Sequence, residues 1–380
     1  MPEYQDGLTR YETPVEDLLV TGASGFLGSQ FVTGWLQRHP TARAGCLIRA
    51  ANDDAADARL RMALLRAGED RAAGHGIDAV LERNTAIRGE FGEFGWIDSA
   101  TRWRDEGGGR PFRVLHCAAN LSFRSADRDA VRAANIEGTR SMLAAAQQLG
   151  ASEFNYVSTA YVAGDRDGDI LEDGLGRAPG FSNAYEESKW EAEALVRSRC
   201  TELQLPFRIL RPSIIIAHSV THRLSALSGF YRVIETMRAL GRLPKARGQT
   251  ILLPVPRGST LDLVPVDVVV DEMIQLLRAG DASLGHAFHL TSDSPLSLVE
   301  VLGALSPLAG LTIGRQTDGA GPNPRLSEML MQRLRHYMPY LGQIRRFDRR
   351  NVRAAGVAPQ RVLDVERLRQ YVTSFLARAA

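Results

Sequence analysis

The sequence predicts an α/β protein, a doubly wound parallel sheet followed by a smaller mixed region, and three observations carry that prediction. Apolar runs of three to five residues alternate with helical stretches of ten or more between Leu18 and about Leu210. A glycine-rich turn joins the first run to the first helix. Beyond Arg211 the alternation gives way to apolar pieces separated by Arg, Pro and Gly, which reads as insertions at the carboxyl end of the sheet. At 380 residues the chain is long enough for two or three domains and an ample core.

The elements follow in order. Leu18 to Val20 reads as the first strand and Phe26 to His39, closed by Pro40, as the first helix. Ala44 to Ile48 is the second strand. The arginine- and alanine-rich stretch from Asp53 to Arg83 has helical composition, broken near Gly68 and at Gly74-His75-Gly76. Thr85 to Gly89 reads as the third strand and Gly107-Gly108-Gly109 as a loop. Arg113 to His116 is the fourth strand, with a helix from about Ala130 to Leu149. Phe154 to Val157, a long helix from Ala184 to Cys200, and Phe207 to Leu210 complete the alternation. Leu261 to Val270 and Ala287 to Thr291 are apolar pieces of the mixed region.

Composition narrows the function. The chain is 44% hydrophobic and 24% charged, ordinary for a globular protein. Its 46 basic and 44 acidic residues leave a net charge of +2, so nothing electrostatic points to nucleic acid or an anionic membrane as partner. No apolar run approaches the ~18–20 residues of a membrane span, no basic-then-apolar leader opens the chain, and residues 1–14 read as a polar tail. A cytoplasmic location is expected. Cys46, Cys117 and Cys200 are odd in number and far apart, so neither a disulfide framework nor a zinc knuckle is expected. No metal site is expected either: His218 and His222 have no carboxylate or cysteine near them in sequence to complete one, and His286 and His289 face opposite ways if extended.

Thr21-Gly22-Ala23-Ser24-Gly25-Phe26-Leu27-Gly28 lies between the first strand and the first helix. Glycines at this spacing allow a tight turn, close backbone approach to a pyrophosphate, and close helix–strand packing. The helix N-terminus then presents free N–H groups to the phosphates. The second strand ends in Arg49, where an acidic residue would hold the ribose hydroxyls of NAD(H) and an arginine suits a 2′-phosphate. NADP(H) is therefore favoured, with NAD(H) as the alternative and Asp53 and Asp54 close behind.

Tyr185 and Lys189 stand one helical turn apart on the predicted long helix. Only two of the 46 basic residues are lysines, so chance supplies roughly 0.05 such pairs. An ammonium beside a phenol favours the phenolate, so Lys189 is expected to lower the pKa of Tyr185 and fit it for proton transfer. The fifth strand runs into Ser158-Thr159, and alternation along it selects Thr159 as the hydroxyl facing a bound carbonyl. Cys117 reads as a buried small residue, and the arginines at 345, 346, 349, 350 and 353 as a solvated basic face, with an anionic carrier arm as the alternative.

Together these residues resemble the extended short-chain dehydrogenase/reductase family. The pieces TGASGFLG (21–28), CLIRA (46–50), VLHCAANLSF (114–123), NIEGTR (135–140), YVSTAYV (156–162), NAYEESK (183–189) and RPSIII (211–216) are similar to its thioester reductase and fatty acyl-CoA reductase branch. The resemblance implies a Rossmann domain over 15–215, returning at about 259–292, and a mainly substrate-binding domain over 216–380. It implies a catalytic set of Thr159, Tyr185 and Lys189, with Asn135 ordering a proton-relay water. Gly22, Ser24, Gly25, Phe26, Leu27 and Gly28 would cradle the pyrophosphate, and Arg49 would take the 2′-phosphate. Glu90 and Phe91 would flank adenine, Ala118 and Ala119 would line the cofactor, and Pro212 and Ser213 would lie by the nicotinamide.

The activity so implied is NADPH-dependent reduction of a thioester to an aldehyde, with the alcohol as an onward product. No carrier or adenylating module is read in these residues, so the thioester is expected on a separate carrier protein or as a coenzyme A ester. A ketoreductase, a sterol-type dehydrogenase or a nucleotide-sugar epimerase is the alternative within the family. A catalytically silent dinucleotide sensor is the alternative outside enzymology. Helix-pair homodimers are frequent in the family, which leaves a homodimer open.

Overall fold

The computed structural model describes residues 17–71, 76–172, 174–176, 178–224, 229–316, 321–358 and 363–378. Seven strands form one parallel sheet: β1 (Asp17–Thr21), β2 (Ala44–Ile48), β3 (Asn84–Arg88), β4 (Phe112–His116), β5 (Glu153–Val157), β6 (Phe207–Pro212) and β7 (Ala287–Leu290). Their spatial order is β7-β6-β5-β4-β1-β2-β3. The chain reverses its direction of winding between β1 and β4, which opens a crevice at the carboxyl ends of those two strands. Every residue of β1 and β2 is buried, as strands covered on both faces require.

Helices α1 (Phe26–Arg38) and α2 (Asp53–Asp70) cover one face of the sheet. The side chain of Asn52 caps α2 by accepting from the Ala55 amide at 2.8 Å. Gly68 does not break this helix. It lies inside α2, where its missing side chain leaves room for Ile77. The break falls later, and Gly76, at φ +91°, opens the short helix Ile77–Glu82; Gly74-His75 lies outside the described residues. Helices α3 (Ile97–Glu106), α4 (Gly138–Leu149) and α5 (Ala184–Glu202) cover the opposite face, packing Trp103, Met142 and Val196 beneath the sheet. Helix α3 was not visible in the sequence pattern. It is reached by a loop of two turns from β3 and ends at the glycine loop 107–109.

The stretch before α4 is continuous helix that changes character. Arg128–Arg132 is α-helical, Ala133–Glu137 is π-helical, and α4 follows. Beyond β6, α6 (Gly229–Gly241) and α8 (Leu298–Ala309) build a second apolar cluster around Tyr231, Met237, Val301 and Leu305. Between them the chain returns to the sheet. Leu263–Pro265 pairs in parallel with Ile214–Ile216, α7 (Val266–Arg278) packs on α1, and β7 extends the sheet edge. A late strap then comes back again: Arg345–Phe347 pairs in parallel with Gly168–Ile170, and Val352 and Val357 join the first apolar cluster. Among the described residues, no helix is long and apolar enough to cross a membrane. The 1–14 tail lies outside the described residues.

Candidate active site

The glycine turn sits at the mouth of the crevice. Gly22 adopts φ +76°, and a Cβ there would lie 2.7 Å from the Ala118 amide nitrogen, so the turn and the β4 loop touch backbone to backbone. A Cβ on Gly28 would fall 2.2 Å from the Gly22 carbonyl oxygen, so only glycine lets α1 begin this close to β1. Gly25 is the N-cap of α1 and makes no side-chain cap; the first turn holds no acidic residue. The first-turn amides of Phe26, Leu27 and Gly28, with Ser24 on the turn before them, therefore form an uncapped, positively polarised end that fits a pyrophosphate.

Behind the turn runs a buried polar chain. Thr21 Oγ1 contacts His116 Nδ1 at 2.7 Å, His116 Nε2 contacts Thr139 Oγ1 at 3.0 Å, and Thr139 Oγ1 donates to the Asn135 carbonyl at 2.6 Å. Burial lowers the His116 pKa to about 3, with Lys189 adding to the shift, so this imidazole is neutral. Thr21 Oγ1 also accepts from the Ala118 amide at 3.2 Å, which places Ala118-Ala119 along the crevice.

At the far side of the turn Arg49 is exposed and pairs with Glu90 at 3.2 Å. Arg59, from the second turn of α2, donates to the Arg49 carbonyl at 2.9 Å. A second guanidinium therefore stands at the end of β2. Sequence reading missed it because ten residues separate it from Arg49; its only signal was its place on an α2 face turned to the strand end. The Phe91 ring packs over Gly138 and lies 5.6 Å from His116, edge on.

Thr159, Tyr185 and Lys189 converge at the carboxyl ends of β5 and β6. Thr159 Oγ1 hydrogen-bonds Tyr185 and lies 3.4 Å from the Pro212 carbonyl oxygen. Lys189 is buried; its Nζ donates to the Val157 carbonyl at 2.5 Å and sits 4.2 Å above the Tyr156 ring. Burial pushes the Lys189 pKa down to about 7, offset in part by Cys117 and Glu193. The expectation that Lys189 acidifies Tyr185 is overturned. Burial raises the Tyr185 pKa, and only the Thr159 hydrogen bond pulls it back. Lys189 Nζ is drawn instead to the Val157 carbonyl at the end of β5, and lost solvation is the largest influence on the phenol.

Asn135, on the π-helical turn, has its amide fully engaged. Oδ1 accepts from the Asn120 amide at 2.7 Å, and Nδ2 donates to the Asn120 carbonyl at 3.0 Å and to Ser188 Oγ at 2.9 Å. Pi-turns recur at functional sites because they free or re-aim backbone groups, and here the Asn135 carbonyl is taken by Thr139. Below Lys189, the buried Glu193 accepts from Arg211 and, at 3.0 Å, from Ser158. Ser213 hydrogen-bonds the buried Asp262, whose pKa burial raises to about 6.

Other candidates resolve differently. The arginines at 345–353 divide: Arg346, Arg350 and Arg353 are exposed, as a solvated face requires, and pair with Asp169 and Asp348, whereas Arg345 and Arg349 are buried and Arg349 pairs with Glu272. His289 is buried and held neutral, its pKa lowered by burial to about 3. His218 lies 3.9 Å from Asp267, while His222 contacts Ser374. No group of three or more metal-ligating side chains occurs among the described residues.

Residues 20–273 match the model of the male sterility protein family of NAD-binding domains. The chain belongs to that family. It is an extended short-chain dehydrogenase/reductase of the thioester reductase branch, and an NAD(P)H-dependent oxidoreductase. It is 28% identical over 283 residues to the non-canonical nonribosomal peptide synthetase FrzA of Cladobotryum sp, a match covering 72% of this chain and 26% of that protein. A carboxylic acid reductase of Segniliparus rugosus is 26% identical over 285 residues, covering 72% of this chain and 24% of that one. The chain thus spans about a quarter of the length of these relatives. The terminal R domain of the myxalamid PKS-NRPS biosynthetic pathway superposes with a TM-score of 0.76 at 24% identity, over 96% of this chain and 91% of that one.

Proposed function

We propose that this reductase converts an acyl thioester, presented on a carrier protein or as a coenzyme A ester, to the aldehyde, with the alcohol as an onward product. The observation that carries this reading is the meeting of Thr159, Tyr185 and Lys189 at the carboxyl end of the sheet, the end that also bears the glycine cradle. The names of the relatives, a peptide synthetase and a carboxylic acid reductase, support it.

The uncapped N-terminus of α1 holds the pyrophosphate of a nicotinamide cofactor, with Phe91 at the adenine end and Pro212-Ser213 at the nicotinamide end. Arg49 and Arg59 take a 2′-phosphate, which favours NADPH over NADH. The bound cofactor supplies hydride. Thr159 and Tyr185 hydrogen-bond the thioester oxygen, and stabilise it as it becomes an oxyanion. Tyr185 then gives up the proton that burial has kept on its phenol, and the hemithioacetal collapses to aldehyde and thiol. Lys189, held by the Val157 carbonyl, anchors the helical turn that carries Tyr185 to the end of β5. Asn135, through its side-chain amide, keeps the Asn120 loop against α5.

The test follows NADPH oxidation with panels of acyl-CoA and acyl-pantetheine thioesters. Oxidation that yields free thiol and aldehyde supports the proposal; no oxidation with any thioester refutes it. Tightly held NAD in the purified protein would point to an epimerase instead.

A further inference from the structure

We infer that Phe123, with Tyr337 and Tyr340, forms the acyl-recognition wall and selects thioesters whose acyl group carries an aromatic ring; this rests on the thioester reading above. The loop that bears Phe123 leaves β4 next to the glycine cradle and is held rigid. Asn120 is clamped on both backbone groups by Asn135, the Ser122 amide donates to Asn120 Oδ1 at 3.0 Å, and Ser122 Oγ donates to Asp127 at 2.6 Å.

The loop delivers the Phe123 ring to 5.8 Å from the ring of Tyr185. Phe123 stacks on Tyr340 at 5.5 Å with 16° between planes, and meets Tyr337 edge on at 5.9 Å. Tyr340 is itself fixed, its hydroxyl accepting from Asn183 Nδ2 at 2.9 Å. Behind it stand the buried rings of Tyr161, at 4.9 Å, and Phe347. Phe123 and Tyr337 are only half-buried, and Leu121 on the same loop is 66% exposed. Apolar surface left open beside a proton donor marks a ligand-facing wall. Rings at these separations present offset faces and edges, the geometry in which a further ring is bound best, and they lose little entropy on binding.

The test is calorimetric titration of the NADP⁺-loaded full chain with the non-reducible amide analogues of benzoyl- and hexanoyl-pantetheine. The wild type is expected to bind the benzoyl amide more tightly. Phe123→Ala should weaken it about 3- to 10-fold while changing the hexanoyl amide by less than roughly twofold. Phe123→Leu, which keeps apolar area, should also lose the preference, and unchanged NADP⁺ affinity in both variants shows that the fold is intact. Equal wild-type affinities, or an equal loss for both amides, overturns the inference and leaves the thioester reading standing. Binding of neither amide to a protein that still binds NADP⁺ and reduces simple aldehydes overturns both.

Discussion

Two glycines of the same turn should fail in different ways when each gains one methyl group. At Gly28 the added Cβ would lie 2.2 Å from the Gly22 carbonyl oxygen, 2.8 Å from the Gly22 carbonyl carbon and 3.1 Å from Ala23 Cα. All three neighbours are backbone, so relief requires α1 to move about 1 Å away from β1. Overpacking of this kind costs about 1–3 kcal/mol, and the shift also spreads the amides that face the phosphates. At Gly25 the nearest atom to an added Cβ is the Gly22 oxygen at 3.2 Å, φ is an ordinary −86°, and the residue is exposed. Gly25→Ala should therefore cost the fold only about 1 kcal/mol or less, the difference between glycine and alanine at an N-cap. It still places a methyl where a pyrophosphate must approach. The assay is thermal melting of wild type, Gly25→Ala and Gly28→Ala, each with and without saturating NADPH. Gly25→Ala should melt near wild type and lose most of the NADPH-induced rise, whereas Gly28→Ala should melt several degrees lower and lose it as well. A Gly28→Ala protein with wild-type melting and a full NADPH response would refute the packing argument.

Three further outcomes are expected. Tyr185→Phe should lower kcat by about 10²–10⁴-fold with little change in KM, measured as NADPH oxidation on a turned-over thioester. Arg49→Ala and Arg59→Ala should each cut the preference for NADPH over NADH by about tenfold, with NADH affinity almost unchanged; the discount below a buried contact reflects the exposure of Arg49. Lys189 has a pKa lowered by burial to about 7 in the folded protein, against ~10.4 when unfolded. Between those values the unfolded chain holds a proton that the folded chain has lost, so this group's penalty on folding is largest below pH 7 and shrinks as pH rises. The cofactor-free wild type should thus gain about 1–2 kcal/mol relative to Lys189→Met between pH 7 and 8.5; a pH-independent difference in their denaturant midpoints would contradict it.

The nucleotide half of the molecule was legible because its signals are local. Five consecutive buried residues in β2 leave an unbroken apolar run, and the glycine turn and the Tyr185–Lys189 pair each lie within eight residues. Helix α3 escaped because only Ile97, Ala100 and Trp103 of its ten residues are buried, so the apolar stripe is thin against seven polar or exposed positions. The amphipathic α6, by contrast, carried its signal in Phe230, Tyr231, Val233, Ile234 and Met237, and a helix-period reading would have found it. The direction of the Tyr185 shift could not be read from spacing, because it depends on where Lys189 Nζ points and on how much water the folded site excludes. Tyr337 and Tyr340 were invisible as site residues for a topological reason: some 150 residues separate them from the helix they face.

The late strap has a consequence for anyone who would cut or graft this protein. Because Arg345–Phe347 completes a two-stranded pair with Gly168–Ile170, and Arg349 donates to the Thr291 carbonyl while pairing with Glu272, the nucleotide-binding half is finished by residues that come after almost all of the other half. A single cut between residues 170 and 345 puts Gly168–Ile170 and its strand partner on different pieces. A swap of acyl specificity by exchanging a contiguous C-terminal block would carry the strap with it, and would replace the partner of Gly168–Ile170 and the burial of Val352 and Val357 at the same time. The economical exchange is an internal one that leaves 345–357 in place.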